Sequence, residues 1–362
     1  MATPVWSGPV EPTVRLADAL AIRGHTIHFA CDGLRAGDLP LRLAHRRVLA
    51  DLKLSVKSPP WQVLGDRSRI KAYVAETPID IVHCHFGHDH TLALSAGLEA
   101  PIVRSIHRES SLDFGPLRRW FYRRTAAFTT ASDAHAALLR DRYGRSSIRL
   151  PGIVDTTMFR PSQNDEERKS ARALFSLEPD DVAVGYVARM NEGRAHQLLI
   201  DAMETIRKSL PTARLVLVGR GERESFLRNY ASTRALGNVV IFGGYRTDDL
   251  PLAYRAFDLF VLPREGNDGT CRALLEAMAT GLPCVAARRA SLADTIVDGE
   301  CGVLFREGDA SDCARAILDA YNLRSALCSA ARHRAKTQFR LEDRALELED
   351  FYVAVANGNL PP

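Results

Sequence analysis

Short apolar runs alternate with helical patterns along nearly the whole chain, and this alternation is its dominant feature. In the first half the runs at 25–31 (HTIHFAC), 80–86 (DIVHCHF), 101–107 (PIVRSIH), 127–132 (AFTTAS) and 147–152 (SIRLPG) read as strands. Helical patterns fit Val14–Arg23, Arg67–Glu76, His90–Glu99, Leu117–Arg124 and Asp133–Tyr143. Residues 160–180 are polar and charged, contain Pro161 and Pro179, and read as a linker that begins a helix. A second series starts at Val182: 182–188, 214–219, 239–244, 259–263, 284–287 and 302–305. Strands alternating with helices argue a doubly wound parallel sheet, and two series predict two α/β domains. A closing helix is expected at Leu341–Ala356.

One stretch, Pro263 to Phe305, concentrates the candidate chemistry. The apolar strand before it runs into an acidic, glycine-containing loop, which opens directly into a helix predicted over Thr270–Thr280. Gly281-Leu282-Pro283 ends that helix before the next strand. Ligands sit at the carboxyl ends of parallel strands, and helix N-termini attract anions. Asp268 lies at the helix mouth and Glu276 two turns inside, so both lean to one side, about 12 Å apart along the axis. Two acids flanking a row of backbone N–H groups suit a ligand with hydroxyls at both ends and a diphosphate between. A nucleotide sugar has that shape. The alternative is a solvated acidic loop before an ordinary core helix.

The segment resembles the donor signature of family 4 retaining glycosyltransferases (glycosyl transferases group 1). Their pattern is two acids separated by seven residues, then Ala-Met, a small residue, Gly, and Pro before the next strand. Here Asp268 and Glu276 have that spacing, followed by Ala277-Met278-Ala279, Gly281 and Pro283. The family's first acid is usually Glu. Asp268 is the positional match, with Glu265 three residues too early.

That resemblance implies the GT-B fold: two facing Rossmann-like domains with a cleft between them. Residues 1–160 are then the acceptor domain, 161–340 the donor domain, and 341–362 a terminal helix crossing back to the first. Family members open with an apolar central strand, a small-residue loop and a helix. Trp6-Ser7-Gly8-Pro9 resembles the loop, yet no strand precedes it. Either the start was placed too late or a buried strand has been lost, and residues 1–5 are expected to fill its slot poorly or lie outside it.

By the same resemblance, Arg189 and Arg194 direct charge at the donor diphosphate, with Arg194 in a Lys position and Ala195 in place of Gly. Arginine keeps the charge and adds bidentate geometry. Gly219 marks a tight turn beneath the donor, and the loop at Gly244 holds the base. Backbone N–H groups of Thr270, Cys271 and Arg272 stabilise phosphate charge, and Glu276 accepts from ribose hydroxyls. Asp268 and His107 take the catalytic positions at the transferred sugar. Gly8 and His85 lie on the acceptor side. The two arginines also fit a plain exposed pair, and His107 a structural histidine.

The run His83 to His90 invites a metal reading, since alternation puts His83 and His85 on one strand face. No other ligand group has zinc-type spacing, so lining the acceptor side is expected instead. No Asp-x-Asp motif stands at a suitable strand end. Leaving-group charge is therefore expected to fall to arginines and a helix N-terminus, with no metal and no cofactor beyond the nucleotide sugar, a UDP-sugar or another.

Bulk properties narrow the setting. Apolar content of 46% and charge of 25% are those of a soluble globular protein. No apolar run is long enough to span a membrane, no secretory signal opens the chain, and seven cysteines without paired spacing suit a reducing cytosol. The net charge of +4 concentrates in residues 34–57 and 114–128, both basic and the second aromatic-rich. Such a surface suits anionic lipid headgroups or an acidic glycan, or is a solvated face; nucleic acid has no supporting motif. The expected activity is sugar transfer to a glycan or lipid-linked acceptor in cell-surface polysaccharide or lipopolysaccharide-type biosynthesis. An inactive nucleotide-sugar-binding protein remains open, as does a related GT-B epimerase or phosphorylase.

Overall fold

The computed structural model describes residues 1–4, 10–55, 57–107, 109–112, 115–265 and 271–359. The chain forms two compact units. One holds Met1–Pro151 and Leu341–Pro362, the other Gly152–Gly266 and Cys271–Arg340. The division falls at Pro151/Gly152, earlier than the expected 160/161. Residues 152–160 belong with the second unit because Phe159 enters its core, Val154 N–H donates to Phe339 O (3.0 Å) and Arg255 Nε holds Arg160 O (3.1 Å).

The second unit is one six-stranded parallel sheet, with β7 (Val182–Val187), β8 (Ala213–Val218), β9 (Val240–Gly244), β10 (Leu259–Leu262), β11 (Cys284–Ala287) and β12 (Val303–Phe305). Its order is β12-β11-β10-β7-β8-β9. The chain starts in the middle, builds outward to β9, then returns to the other side of β7. The strand order therefore reverses between β7 and β10, where open α/β sheets leave a crevice for ligands. All four residues of β10 and of β11 are buried, as parallel strands covered on both faces require.

The first unit carries six strands: β1 (His28–Asp32), β2 (Arg47–Leu52), β3 (Val82–Cys84), β4 (Ile102–Ile106), β5 (Ala127–Thr130) and β6 (Ser147–Arg149). They do not make one sheet. β1 and β2 pair with each other, and β3-β4-β5-β6 form a separate four-stranded sheet, all parallel. β2 lies inside the basic stretch and was not expected, because Arg47, Asp51 and partial exposure break its apolar run. Residues 1–4 supply no strand. The Met1 ammonium donates to Ala30 O (2.6 Å) and lies 3.5 Å from the Asp89 carboxylate, while Pro4 O accepts from Leu39 N–H (3.0 Å). Residues 1–4 thus form no ladder with β1 or β3, although Met1 is buried beside Val10, Phe29 and Cys31 and Ala2 packs with Leu52 and Leu92; residue 5 lies outside the described residues. The expected loop at 6–9, with Gly8, lies outside the described residues.

The helix Val10–Ile22 packs against the terminal helix Leu341–Ala356, where Leu20, Val103, Ala127, Leu348 and Phe351 share one apolar cluster. Glu349 ties the two ends through Arg23 and His25. All seven cysteines are free thiols. Among the described residues no helix is long and apolar enough to cross a membrane.

Candidate functional site

In the second unit three loops meet at the carboxyl edge of the sheet. The loop after β7 and the loop after β8 are laced by backbone bonds: Ala188 N–H to Val218 O (3.0 Å), Met190 N–H to Arg220 O (3.1 Å) and Arg223 N–H to Met190 O (2.9 Å). Gly219 is required there. Its φ is +142°, and a Cβ would stand 2.1 Å from Ala188 O. Gly219 N–H also donates to Gly244 O (2.7 Å), joining the loop after β9. Beside it the Arg220 guanidinium lies 4.7 Å from the ring centroid of exposed Tyr245.

Arg189 is exposed just beyond β7. Arg194 bridges the switch point: buried Tyr186 donates from its hydroxyl to Arg194 O (2.6 Å), and Arg194 Nη1 donates to Glu265 O (2.9 Å) in the loop after β10. Ala195 then enters the helix His196–Ser209 from a left-handed conformation (φ 56°). Glycine takes that conformation without strain, so alanine here is held by its surroundings. His196 packs on Tyr186, and burial, then Arg194 and Arg223, lower its pKa to about 4.

The helix Arg272–Thr280 begins in the same way, from Cys271 at φ 52°. Glu276 is buried on it (4% exposed). Its Oε2 accepts from Tyr254 Oη (2.8 Å) and its Oε1 from Arg272 Nε (2.8 Å). Burial and the adjacent Glu276 carboxylate raise the Tyr254 pKa well above its ordinary value, so the phenol stays a donor. Asp268 and Thr270 lie outside the described residues.

Glu265 has its own partners. Its carboxylate accepts from Ser291 Oγ and from Arg289 Nε (3.2 Å), and Arg289 Nη1 reaches both Glu307 oxygens (2.8 and 2.9 Å). Cys271 Sγ lies 3.3 Å from Ser291 Oγ. This network links the ends of β10, β11 and β12.

In the first unit three imidazoles stack along the ends of β3 and β4. Ring centroids of His83 and His85 are 4.3 Å apart, and those of His85 and His107 5.9 Å. His83 bonds to Ser105 Oγ (2.8 Å) and to the Tyr352 hydroxyl of the terminal helix, and His85 Nδ1 to Thr13 Oγ1 (3.3 Å). Burial first, then His107, push the His83 pKa down to about 3; burial, His83 and His107 push His85 well below its ordinary value. Asp89 organises the turn beneath them, accepting from the backbone N–H groups of His85 (3.2 Å), Phe86 (2.9 Å) and His90 (2.8 Å). Among the described residues no group of three His, Cys, Asp or Glu side chains is arranged to hold a metal ion.

Two family models match. "Glycosyltransferase Family 4" spans residues 7–157 and "Glycosyl transferases group 1" spans 181–322. The chain belongs to glycosyltransferase family 4. It is 28% identical over 318 residues to the sulfoquinovosyl transferase SQD2 of Arabidopsis thaliana, covering 79% of this chain and 59% of that relative's length. It is also 28% identical over 276 residues to a GDP-mannose-dependent alpha-(1-6)-phosphatidylinositol monomannoside mannosyltransferase of Mycolicibacterium smegmatis, covering 70% of each. Anabaena Alr3699/HepE, solved in complex with UDP, superposes with a TM-score of 0.80 at 18% identity, over 97% of this chain and 98% of that one. The fold is GT-B, with two parallel-sheet α/β domains.

In this glycosyltransferase the second unit brings Arg194, Gly219, Gly244 and the Arg272–Thr280 helix with Glu276 to one edge of one sheet, and Arg189 ends a strand on that edge. His85 and His107 come together in the first unit. Sequence reasoning did not find Tyr254, Arg289, Ser291, Glu307 or Tyr352. Each is remote in sequence from its partner, and none stands in a motif. Glu265 was visible in the acidic loop but was passed over on spacing.

Proposed function

We propose that this glycosyltransferase moves a sugar from a nucleoside-diphosphate donor to a glycan or lipid-linked acceptor, with retention and without a metal ion. The observation that carries the reading is Glu276: a buried carboxylate fixed by Tyr254 on a helix that starts at the switch-point edge, where Arg194 ties the loops after β7 and β10. In this reading Glu276 accepts from the ribose hydroxyls. Arg189, Arg194 and the N–H groups of Thr270, Cys271 and Arg272 meet the diphosphate, and Asp268 and His107 the transferred sugar. Gly219 and Gly244 shape the floor, and Gly8 and His85 serve the acceptor.

As the bond from the anomeric carbon to the phosphate oxygen breaks, the acceptor oxygen attacks the same face. The departing phosphate oxygen takes the acceptor's proton. Preorganised guanidinium and N–H donors stabilise that developing charge, which supports a reaction without a divalent ion. A UDP-sugar is the first donor to test, and GDP-mannose the second, given the ligands of the relatives.

The helix Pro116–Arg124 supports a peripheral contact with anionic lipid at the inner face of the membrane. Arg119, Trp120, Arg123 and Arg124 are exposed, and Arg124 lies 4.2 Å over the Trp120 ring. Arginines beside an interfacial aromatic suit headgroups. The divided first sheet favours a second reading, a protein that binds nucleotide sugars without turnover. A calorimetric donor screen, then product analysis of the best donor with and without EDTA, tests both. Inverted product or chelator sensitivity would refute the mechanism; binding with no transfer to any acceptor would favour the second reading.

A further inference from the structure

Arg272 occupies an electrostatically odd place. It is the first residue of the helix Arg272–Thr280, at the positive end of the helix dipole, where anions are favoured and cations are not. Its Nε donates to Glu276 Oε1 (2.8 Å), and it is the outer of that carboxylate's two named partners. The Arg272 side chain is 38% exposed and the Glu276 side chain 5%, whereas Tyr254, on Oε2, is fully buried. The two partners therefore have different standing. Tyr254 is locked in the interior. Arg272 makes an i,i+4 pair that solvent weakens and that a better acceptor can replace.

We propose that Arg272 is a donor-binding side chain that exchanges partners: it covers Glu276 in the free enzyme and turns onto the diphosphate when ribose hydroxyls take that carboxylate. This rests on the reading of Glu276 as the ribose acceptor. A diol approaching Oε1 competes directly with the guanidinium. The released cation stands at a helix N-terminus, where a phosphate both meets the guanidinium and relieves its clash with the dipole. A nucleoside alone must displace Arg272 and offers it nothing in return. A nucleoside diphosphate compensates it. Arg272 thus selects for the phosphorylated ligand, acting through differential affinity for its two positions.

The test is a comparison of ligands on the full-length protein by calorimetry: UDP against uridine, and GDP against guanosine, for the wild type, Arg272→Gln, Arg272→Lys and Glu276→Ala. For Arg272→Gln we expect the diphosphate to bind about tenfold or more weakly, the scale of a lost charge-assisted bond. The nucleoside should bind as tightly as before or more tightly. Arg272→Lys should keep part of the diphosphate affinity. An equal loss for diphosphate and nucleoside would show that Arg272 only braces Glu276, and would overturn the exchange. Unchanged binding of both would overturn it too. If Glu276→Ala leaves every affinity unchanged, the ribose reading itself fails, independently of Arg272. Thermal unfolding of each variant separates these outcomes from loss of fold.

Discussion

The hydroxyl of Tyr254 donates to Glu276 Oε2 at 2.8 Å, and both side chains are buried. Tyr254 sits at the end of β9's following helix, Leu250–Arg255, and Glu276 on the helix after β10, so this bond joins two crossovers behind the sheet edge. The same hydroxyl lies 3.1 Å from Ala273 O. Tyr254 therefore fixes the rotamer of the carboxylate proposed to receive the ribose.

Replacing Tyr254 with Phe leaves the ring and removes the bond. A buried acceptor stripped of a partner costs about 1–3 kcal/mol. We expect weaker nucleotide binding by roughly tenfold, with a small loss of thermal stability, measured by calorimetry and unfolding curves. Donor affinity equal to wild type would show that Glu276 does not depend on Tyr254 for its orientation.

Gly219→Ala should damage the same edge from the other side. A Cβ would stand 2.1 Å from Ala188 O at a backbone φ of +142°. Such strain is on the order of 1–3 kcal/mol. Loops after β7 and β8 must part to relieve it, so donor affinity and the melting temperature of the second unit should fall together. A variant with wild-type values of both would contradict the close approach.

Arg194→Lys should be milder than Arg194→Ala. Lysine keeps the charge and loses the fork, whereas alanine also loses the bond to Glu265 O that ties the loop after β7 to the loop after β10. Initial rates with the best donor decide the order. Activity unaffected by alanine at both Arg189 and Arg194 would remove the phosphate site.

Acid should weaken the first unit through His83. Its folded pKa is about 3 against an ordinary 6.5, so below 6.5 the unfolded chain binds a proton that the folded one does not. Stability is then fully present above 6.5 and is lost as pH falls from 6.5 towards 3, by about 1.4 kcal/mol per unit at most. His83→Gln should flatten that slope in unfolding curves between pH 6.5 and 4. A slope unchanged by the substitution would assign the acid sensitivity elsewhere.

Hydrogen exchange should separate the two units. The second has one continuous core around its six-stranded sheet, while the first divides its buried apolar residues among several small clusters and two sheets. Amides of β1 and β3, each at the end of its own small sheet, are expected to exchange before those of β7 and β8. Equal protection would show that the divided sheet is no weaker.

What the sequence determined alone is everything carried by short-range pattern. Strand and helix alternate locally, so eleven of the strand positions could be read, and β2 escaped because charged residues interrupt its apolar run. Arg194, Gly219 and Glu276 were given their roles through the family resemblance, which fixes each at a set distance from a strand end or a helix start. Tertiary structure alone decided how the six strands of the first unit divide, since strand pairing depends on which edges meet and not on any one strand's composition. It alone put Tyr254 against Glu276, Arg289 between Glu265 and Glu307, and Tyr352 on His83. Those contacts join residues from 18 to 269 positions apart, and no periodicity along the chain encodes them. The left-handed entries at Ala195 and Cys271 belong to this second kind too: neither residue favours that conformation, and only the packed surroundings hold it.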